Sequence, residues 1–356
     1  MMKGVILHGG AGTRLRPLTY TDVKQLLPVA GKPVSEYALL NLIELGIRDI
    51  NIIVGDVGQN EVKEYYSNGS KWNVNISYTF QEKPLGIAQA IGLTKGFVGD
   101  DDFVVVLGDN YFHNGLSTLN NEFVKSKSDA LVALTRVDNP SQFGIATISD
   151  GRIVKMEEKP KNPKSNLAVT GAYFLRKSIF SIIKELKPSW RNELEITEAF
   201  QIMINKGMNI GYALIDGWWK DTGTVDEFLD CNRMVLEKIE DKVSKPLSNG
   251  NLQGKVKIGD NVQIKGNTRI LGPCYIGQNT ILDNAYIGPY TSIGSDCFLR
   301  NVEVGNSVIM DQSNLDVSEI IRIADSILGP NTKITTSTSK PKAFKLVLGR
   351  DSKIEL

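Results

Sequence analysis

A parallel, doubly wound α/β sheet followed by a β-helix is the fold that the sequence predicts, on three observations. Short runs rich in β-branched residues alternate with helical spacing up to about residue 240. From about residue 251 an aliphatic residue returns every six positions, and a polar stretch carrying Pro246 and Gly250 divides the two regimes. The length, 356 residues, exceeds what one hydrophobic core usually spans. The expected division is a first domain over 1–240, a linker over 240–251, a coil domain over 251–335 and a capping tail over 336–356.

The first regime reads as strands at Val5–Leu7, Ile50–Val54, Val74–Phe80 and Phe103–Leu107, with helical stretches at Pro33–Gly46 and Glu61–Tyr66 between them. Pro33 suits a helix's first turn and Gly46 its exit. Ligands of such a sheet bind beyond the strand C-termini, so the residues that follow each strand are the ones to inspect. A further helix, Val225–Ile239, is expected to pack on the first domain. In the second regime Ile258, Ile264, Ile270 and Ile276 stand six apart, and Ile287, Ile293 and Leu299 repeat the spacing. Stacked coils with aliphatic residues inward and small or polar corners explain that period; a Gly-rich β-sandwich has no reason to keep it. Terminal coils need a cover, which the tail beyond Thr335 is expected to supply.

Lys and Arg (41) nearly balance Asp and Glu (40), which argues against a nucleic-acid wrapper or a polybasic membrane binder. Three scattered cysteines, Cys231, Cys274 and Cys297, form no disulfide framework, and His8 and His113 have no zinc-like spacing to them. The opening residues enter a strand at once and no run of 18 apolar residues follows, so a cytoplasmic location is expected.

The first strand runs into His8-Gly9-Gly10-Ala11-Gly12-Thr13-Arg14-Leu15-Arg16. Gly9, Gly10 and Gly12 allow a sharp turn and bring backbone N–H groups close to a ligand. Thr13 adds a hydroxyl, Arg14 a guanidinium suited to phosphate oxygens, and Lys24 a second cation. The loop reads as a phosphate cradle, with a purely structural turn as the alternative; Arg16 is equally well an outward charge. Asp109 follows the strand Phe103–Leu107 through Gly108, and Asp221 follows Ile210–Ile215 ahead of a helix. Two acids at such ends suggest a Mg²⁺ site, against a helix cap for Asp221 and a turn for Asp109. His8 reads as a packed or backbone-bonded imidazole.

These residues resemble the signature of the sugar-1-phosphate nucleotidylyltransferases. GGAGTRLRPLT, with Lys24 to Pro28, is followed in order by QEKPLGIA (Gln81–Ala88), LGDN (Leu107–Asn110), EEKP with SNLAVTG (Glu157–Gly171), and WKDTGT (Trp219–Thr224). With the coil tail, the chain is most similar to that family's long thymidylyltransferase form. The resemblance implies a Rossmann-like, mostly parallel nucleotidyltransferase sheet followed by a left-handed parallel β-helix of hexapeptide repeats. It implies dTTP and glucose 1-phosphate as substrates, with UTP or another sugar phosphate as the near alternative, and Mg²⁺ held by Asp109 and Asp221. Gly9, Gly10, Gly12, Thr13, Gln81 and Gly86 would bind the nucleotide. Gly144, Glu158, Lys159, Gly171 and Arg191 would bind the sugar phosphate. Arg14, Lys24, Asp109, Lys159 and Asp221 would carry catalysis.

A non-catalytic nucleotide-sugar-binding subunit is the rival from another class, and retention of Lys24, Asp109 and Asp221 speaks against it. Residues 251–356 contain no histidine, so an acyltransferase in the coils lacks its usual base. The coils carry no basic stripe and are expected to serve as scaffold or assembly surface, hence a homo-oligomer with neither nucleic acid nor membrane as partner.

Overall fold

The computed structural model describes residues 2–10, 12–239, 252–336 and 350–354; the expected linker and most of the expected capping tail lie outside the described residues. The chain forms two compact units. The first comprises Met1–Ala11, Thr21–Leu26 and Val34–Asp221, the second Gly12–Tyr20, Leu27–Pro33 and Thr222–Leu356.

The strands of the first unit are β1 (Met2–Leu7), β2 (Asp49–Val54), β3 (Asn75–Phe80), β4 (Asp102–Leu107), β5 (Asn110–Phe112) and β6 (Ala130–Arg136). They continue with β7 (Gly144–Ser149), β8 (Arg152–Glu158), β9 (Leu167–Leu175), β10 (Ile210–Leu214) and β11 (Trp219–Asp221). Helices α1 (Val34–Glu44), α2 (Gln59–Tyr66) and α3 (Ile87–Leu93) connect the early strands. β4, β1, β2 and β3 lie side by side and run parallel, the doubly wound part of the expected fold. Side chains alternate across this layer. Val5, Leu7, Phe103 and Val105 enter one core, while Ile6, Val104 and Val106 enter the other. A sheet buried on both faces needs such continuous apolar runs, as β4 and the end of β1 show, whereas the edge strand β3 alternates polar and apolar residues. Beyond β4 the sheet becomes mixed: β9 runs antiparallel to β4, β6 and β7, and β8 antiparallel to β7.

α1 begins one residue later than expected. Pro33 is not in its first turn but pairs with Pro28 in a two-residue hairpin, and the helix starts at Val34. Ala30 and Gly31, the two turn residues, have φ of 48° and 81°, the pairing of positive values that a tight hairpin turn needs.

In the second unit α4 (Val225–Lys238) opens with a capping box, Thr224 receiving from the Glu227 backbone N–H while the Glu227 carboxylate accepts from the Thr224 backbone. The cap is therefore Thr224 and not Asp221. The coil follows as stacked parallel strands. Ile258 pairs with Ile276, Ile276 with Ile293, Ile293 with Ile309 and Ile309 with Leu328, so one coil takes 16 to 19 residues. Ile270, Ile276, Ile287, Ile293 and Leu299 are buried, whereas Ile258, Ile264 and Ile334 at the ends of the stack are only half-buried. Corner residues Asn261, Asn279 and Asp296 adopt positive φ and form a side-chain ladder, Asn261 to Asn279 at 3.2 Å and Asn279 to Asp296 at 3.0 Å.

Asn232 of α4 is fully buried and fully used. Its Oδ1 accepts from the Ala30 N–H at 2.9 Å and the Ser292 hydroxyl at 2.7 Å, and its Nδ2 donates to the Tyr290 carbonyl at 3.1 Å. Replacing it strands three polar groups on two segments at once. Asn232→Ala is expected to lower unfolding free energy by about 2–4 kcal/mol, read as a lower urea midpoint by far-UV circular dichroism.

Candidate active site

Lys24 lies in a helical turn, 7% exposed, and its ammonium donates to Asp109 Oδ2 at 2.7 Å and reaches Asp221 Oδ1 at 3.4 Å. The sheet explains how residues so distant in sequence meet. Asp109 leaves the C-terminal end of β4 through Gly108, and the chain re-enters a strand at once as β5. β11 pairs antiparallel with β5 and sets Asp221 opposite Asn110, beside Asp109. Burial alone would raise the Asp109 carboxyl, but the Lys24 ammonium, helped by the Asn110 amide, holds it below the usual carboxylate range. Burial likewise pushes Lys24 down, and the two carboxylates overcome it and hold the ammonium above its ordinary value.

Asn110 is the hinge of this group. Its Nδ2 donates to Asp109 Oδ1 at 2.8 Å while its Oδ1 accepts from the Trp219 indole at 2.7 Å. A side chain at Gly171 would press into Asn110 Oδ1, so this glycine makes room for the amide. Trp219 is half-buried against the core and Trp218 is 48% exposed, which divides the two adjacent indoles as a strand must. The sequence reading missed β11 and Asn110's role, since a three-residue ribbon has no periodicity to detect.

A second group gathers where β7 meets β8. Glu158 stands opposite Gly144, and its Oε2 accepts from Thr197 Oγ1 at 3.1 Å. A Cβ at Gly144 would lie 2.5 Å from Thr197 and 3.1 Å from Glu158, so the glycine admits this close packing. Arg191 faces three acids: Glu158 at 3.6 Å, Glu193 at 3.0 Å and Glu195 at 3.4 Å. Burial and the nearby Glu195 raise the Glu158 carboxyl above its ordinary value. Glu195, itself buried, also accepts from Ser189. Its spacing of four from Arg191 was the available sequence signal, and it was passed over. Lys159 adopts φ of 42° immediately before Pro160, a strained combination for a side-chain-bearing residue, with its N–H held by the Phe143 carbonyl at 3.0 Å.

The third group surrounds Gln81, which is buried at the end of β3. Its Nε2 donates to Gln89 on α3 at 2.6 Å, and its Oε1 lies 3.2 Å from where a Cβ of Gly9 would stand. Gln25 donates to the Gly9 carbonyl at 2.9 Å, tying the glycine turn to the residue after Lys24. Gly86 has φ of 106°, and a Cβ there would meet the Leu194 backbone at 2.5 Å. The Leu194 N–H bonds the Leu85 carbonyl at 2.7 Å and the Ala88 N–H bonds the Leu194 carbonyl at 3.1 Å. The loop of Gly86 is thereby yoked to the stretch that carries Arg191. Glycine at 86 is required by this backbone contact.

His8 is packed, as expected, with its ring edge-on to Tyr66 at 5.8 Å. Both ring nitrogens are buried without a hydrogen-bond partner among the described residues, and burial lowers its pKa to about 3. Gly12, Thr13 and Arg14 belong to the second unit, where Thr13 and Arg14 are exposed and the Gly12 carbonyl accepts from Thr19 at 2.7 Å. The Arg14 Nη2 lies 2.8 Å from where a Cβ of Gly223 would be. Arg16 stacks on the Tyr20 ring at 4.8 Å. Among the described residues no three or more His, Cys, Asp or Glu side chains gather as a metal cluster, and no helix is long and apolar enough to cross a membrane.

A family profile for nucleotidyl transferases matches residues 3–238. The chain belongs to that family. This nucleotidyltransferase is 41% identical to a glucose-1-phosphate thymidylyltransferase of Streptomyces antibioticus over 100% of its own length and 99% of the relative's. It is likewise 41% identical to a low-salt glycan biosynthesis nucleotidyltransferase, Agl11, of Haloferax volcanii, over the full length of both. Among solved structures it resembles a Bacillus anthracis protein assigned as a glucose-1-phosphate thymidylyltransferase. That similarity has 43% identity and a TM-score of 0.63, covering 67% of this chain and 97% of the other. A UDP-glucose pyrophosphorylase complexed with UDP-glucose matches with 27% identity and a TM-score of 0.59, covering 67% of this chain and all of that one.

Two predictions follow from the geometry of these groups. Below pH 6.5 the unfolded chain protonates His8, while the folded chain refuses the proton until about pH 3, so stability falls on acidification through that window. In His8→Ala the pH dependence of urea-unfolding free energy should flatten there by about 1.4 kcal/mol per pH unit. Gly171→Ala should displace Asn110 and lower turnover by roughly tenfold or more with far-UV circular dichroism unchanged.

Proposed function

We propose that this nucleotidyltransferase is a Mg²⁺-dependent glucose-1-phosphate thymidylyltransferase, converting dTTP and α-D-glucose 1-phosphate to dTDP-glucose and diphosphate. The observation that carries the proposal is the Lys24–Asp109–Asp221 group beside the Gly9–Gln81 contact, in a chain similar over its full length to a thymidylyltransferase. A phosphate oxygen of the sugar phosphate attacks the α-phosphorus of dTTP in line. A new P–O bond forms, the bond to the bridging oxygen breaks, and diphosphate leaves. The nucleophile is an anion already, so no protein base or covalent residue is required. The protein's task is to align two polyanions and to neutralise charge as diphosphate departs.

Asp109 and Asp221 are close enough to share one ammonium, and therefore close enough to share one cation. Two carboxylates with the remaining positions left to water and phosphate oxygens form a donor set that suits Mg²⁺. When bound there, Mg²⁺ would supply Lewis-acid stabilisation of phosphate charge. Lys24 offsets the repulsion between the two acids and offers its charge to the triphosphate. Gly9, Gly10, Gly12, Thr13 and Arg14 are assigned to the triphosphate, and Gln81 and Gly86 to the pyrimidine, with Gln89 orienting the Gln81 amide. Lys159 and Arg191 are assigned to the sugar phosphate and Glu158 to a sugar hydroxyl, with Gly144 and Gly171 lining the sugar. A cytoplasmic homo-oligomer with no nucleic-acid or membrane partner completes the reading, as does the division into a catalytic domain over 1–240, coils over 251–335 and a tail over 336–356.

The second reading is UTP in place of dTTP, favoured by the likeness to a UDP-glucose pyrophosphorylase. One methyl separates the bases, a difference worth only about 1–3 kcal/mol in a pocket. Diphosphate release across a panel of triphosphates and sugar phosphates decides between them. Greatest kcat/KM is expected with dTTP and glucose 1-phosphate; UTP in first place moves the assignment to the second reading, and release from no pair removes both. Lys159→Ala should lower turnover by about 10²-fold and raise KM for the sugar phosphate, leaving KM for dTTP nearly unchanged. Full turnover in Asp109→Asn would remove the metal assignment.

A further inference from the structure

The second unit owns more than the coils. It includes Gly12–Tyr20 and Leu27–Pro33, two stretches that in sequence flank the segment carrying Lys24. Each is seated on α4 or on the coil by a specific contact. The Tyr275 ring of the coil lies against the backbone of Gly31, so closely that any side chain at Gly31 would enter the ring. Ala30 donates to Asn232, whose remaining bonds go to Tyr290 and Ser292 of the coil. Leu18 reaches within 3.3 Å of where a Cβ of Gly329 would stand, and the Tyr20 hydroxyl donates to Asp351. Arg14 lies over Gly223, just ahead of the capped start of α4.

We infer that the coil has a function besides scaffold or assembly: through the close approach of Leu18 to Gly329 it positions the Gly12–Tyr20 segment that takes the nucleoside triphosphate, and through Tyr275 and Asn232 it holds the Leu27–Pro33 turn. The inference rests on the triphosphate role proposed above for Gly12, Thr13 and Arg14. Scaffolding alone does not require Tyr275 to face a hairpin turn, because an aromatic ring anywhere in the stack would bury comparable surface. Nor does it require a buried amide to bond both the turn and two coil residues. Such contacts fix one position of the flanking chain, which is what a phosphate-binding turn of exposed residues lacks on its own. Tyr275 and Asn232 touch no substrate and act as positioning residues.

The test uses the full chain as wild type, Tyr275→Ala, Tyr275→Phe and, on the opposite side of a separate contact, Leu18→Ala. Amide hydrogen exchange of the substrate-free protein is read over residues 12–20 and 27–33, with β4 as reference. Steady-state KM is measured for each substrate. Exchange should quicken over residues 27–33 in Tyr275→Ala and over residues 12–20 in Leu18→Ala, with β4 unchanged in both. In Leu18→Ala KM for dTTP should rise roughly tenfold while that for glucose 1-phosphate changes by less than about twofold. Tyr275→Phe, which keeps the ring, should match wild type in both. Unaltered exchange in either alanine variant overturns the inference, and so does a rise of both KM values equally in Leu18→Ala or quickened exchange in Tyr275→Phe. If the wild type releases diphosphate from no triphosphate, the proposed function falls, and the exchange data still decide whether the coil holds these stretches.

Discussion

A single buried ammonium holds the first unit's chemistry together. Asp109 and Asp221 would repel each other at the separation the β5–β11 ribbon imposes, and in a partly desolvated site that repulsion is costly. Lys24 makes the arrangement tolerable by standing against both. Its own burial is tolerable only because they stand against it. Lys24 could not be buried without the two half-buried acids, so the ribbon, the turn carrying Lys24 and the end of β4 must be correct together. That mutual dependence explains why Asn110 is bonded on both sides and why a glycine, Gly171, is kept next to it. Protein atoms occupy the space that a larger residue would take, and the geometry of the acids is set by packing before any ligand arrives.

The parallel strands and the coils were legible because each is a local pattern: apolar runs in β1 and β4, β-branched and aromatic residues in β2 and β3, and a six-residue recurrence from Ile258 onward. Asp109 was legible for the same reason, since it follows directly from a recognisable strand. Asp221 was found, but its setting was not. A three-residue strand such as β11 owes its existence to a partner over a hundred residues away, and nothing local encodes that pairing. The glycines show the limit more sharply. The motif around Gly86 points to the nucleotide, and the fold adds a packing requirement, since a Cβ there would meet the Leu194 backbone. Pro33 looked like the first turn of a helix and instead closes a hairpin, because Ala30 and Gly31 together favour a tight turn over an early helix start. Residue type announced that a close approach occurs; only the fold says what approaches.

The coils carry a different lesson about what a repeat conceals. Ile270 through Leu299 are interchangeable members of a stack, and their pattern predicts only that a stack exists. Asn232 and Tyr275 lie outside that pattern, one on the preceding helix and one on a strand between inward positions. Their contacts to Ala30 and Gly31 carry the information specific to this chain. Regular positions build the coil, and irregular ones determine what it supports.

Charge balance around Arg191 constrains how a phosphate could be received there. One guanidinium faces Glu158, Glu193 and Glu195, so the group as a whole is acidic, and the raised Glu158 carboxyl reflects burial compounded by Glu195. A dianionic phosphate approaching Arg191 alone would meet more repulsion than attraction. The proposed sugar-phosphate site therefore needs Lys159 as a second cation, a residue whose backbone the fold holds at a φ of 42°. The acids in turn have a use that neutral residues lack. They hold the Arg191 guanidinium among three carboxylates at 3.0 to 3.6 Å. An excess of negative charge at an anion site looks contradictory until the acids are read as fixing the cation's direction while Lys159 lessens the excess.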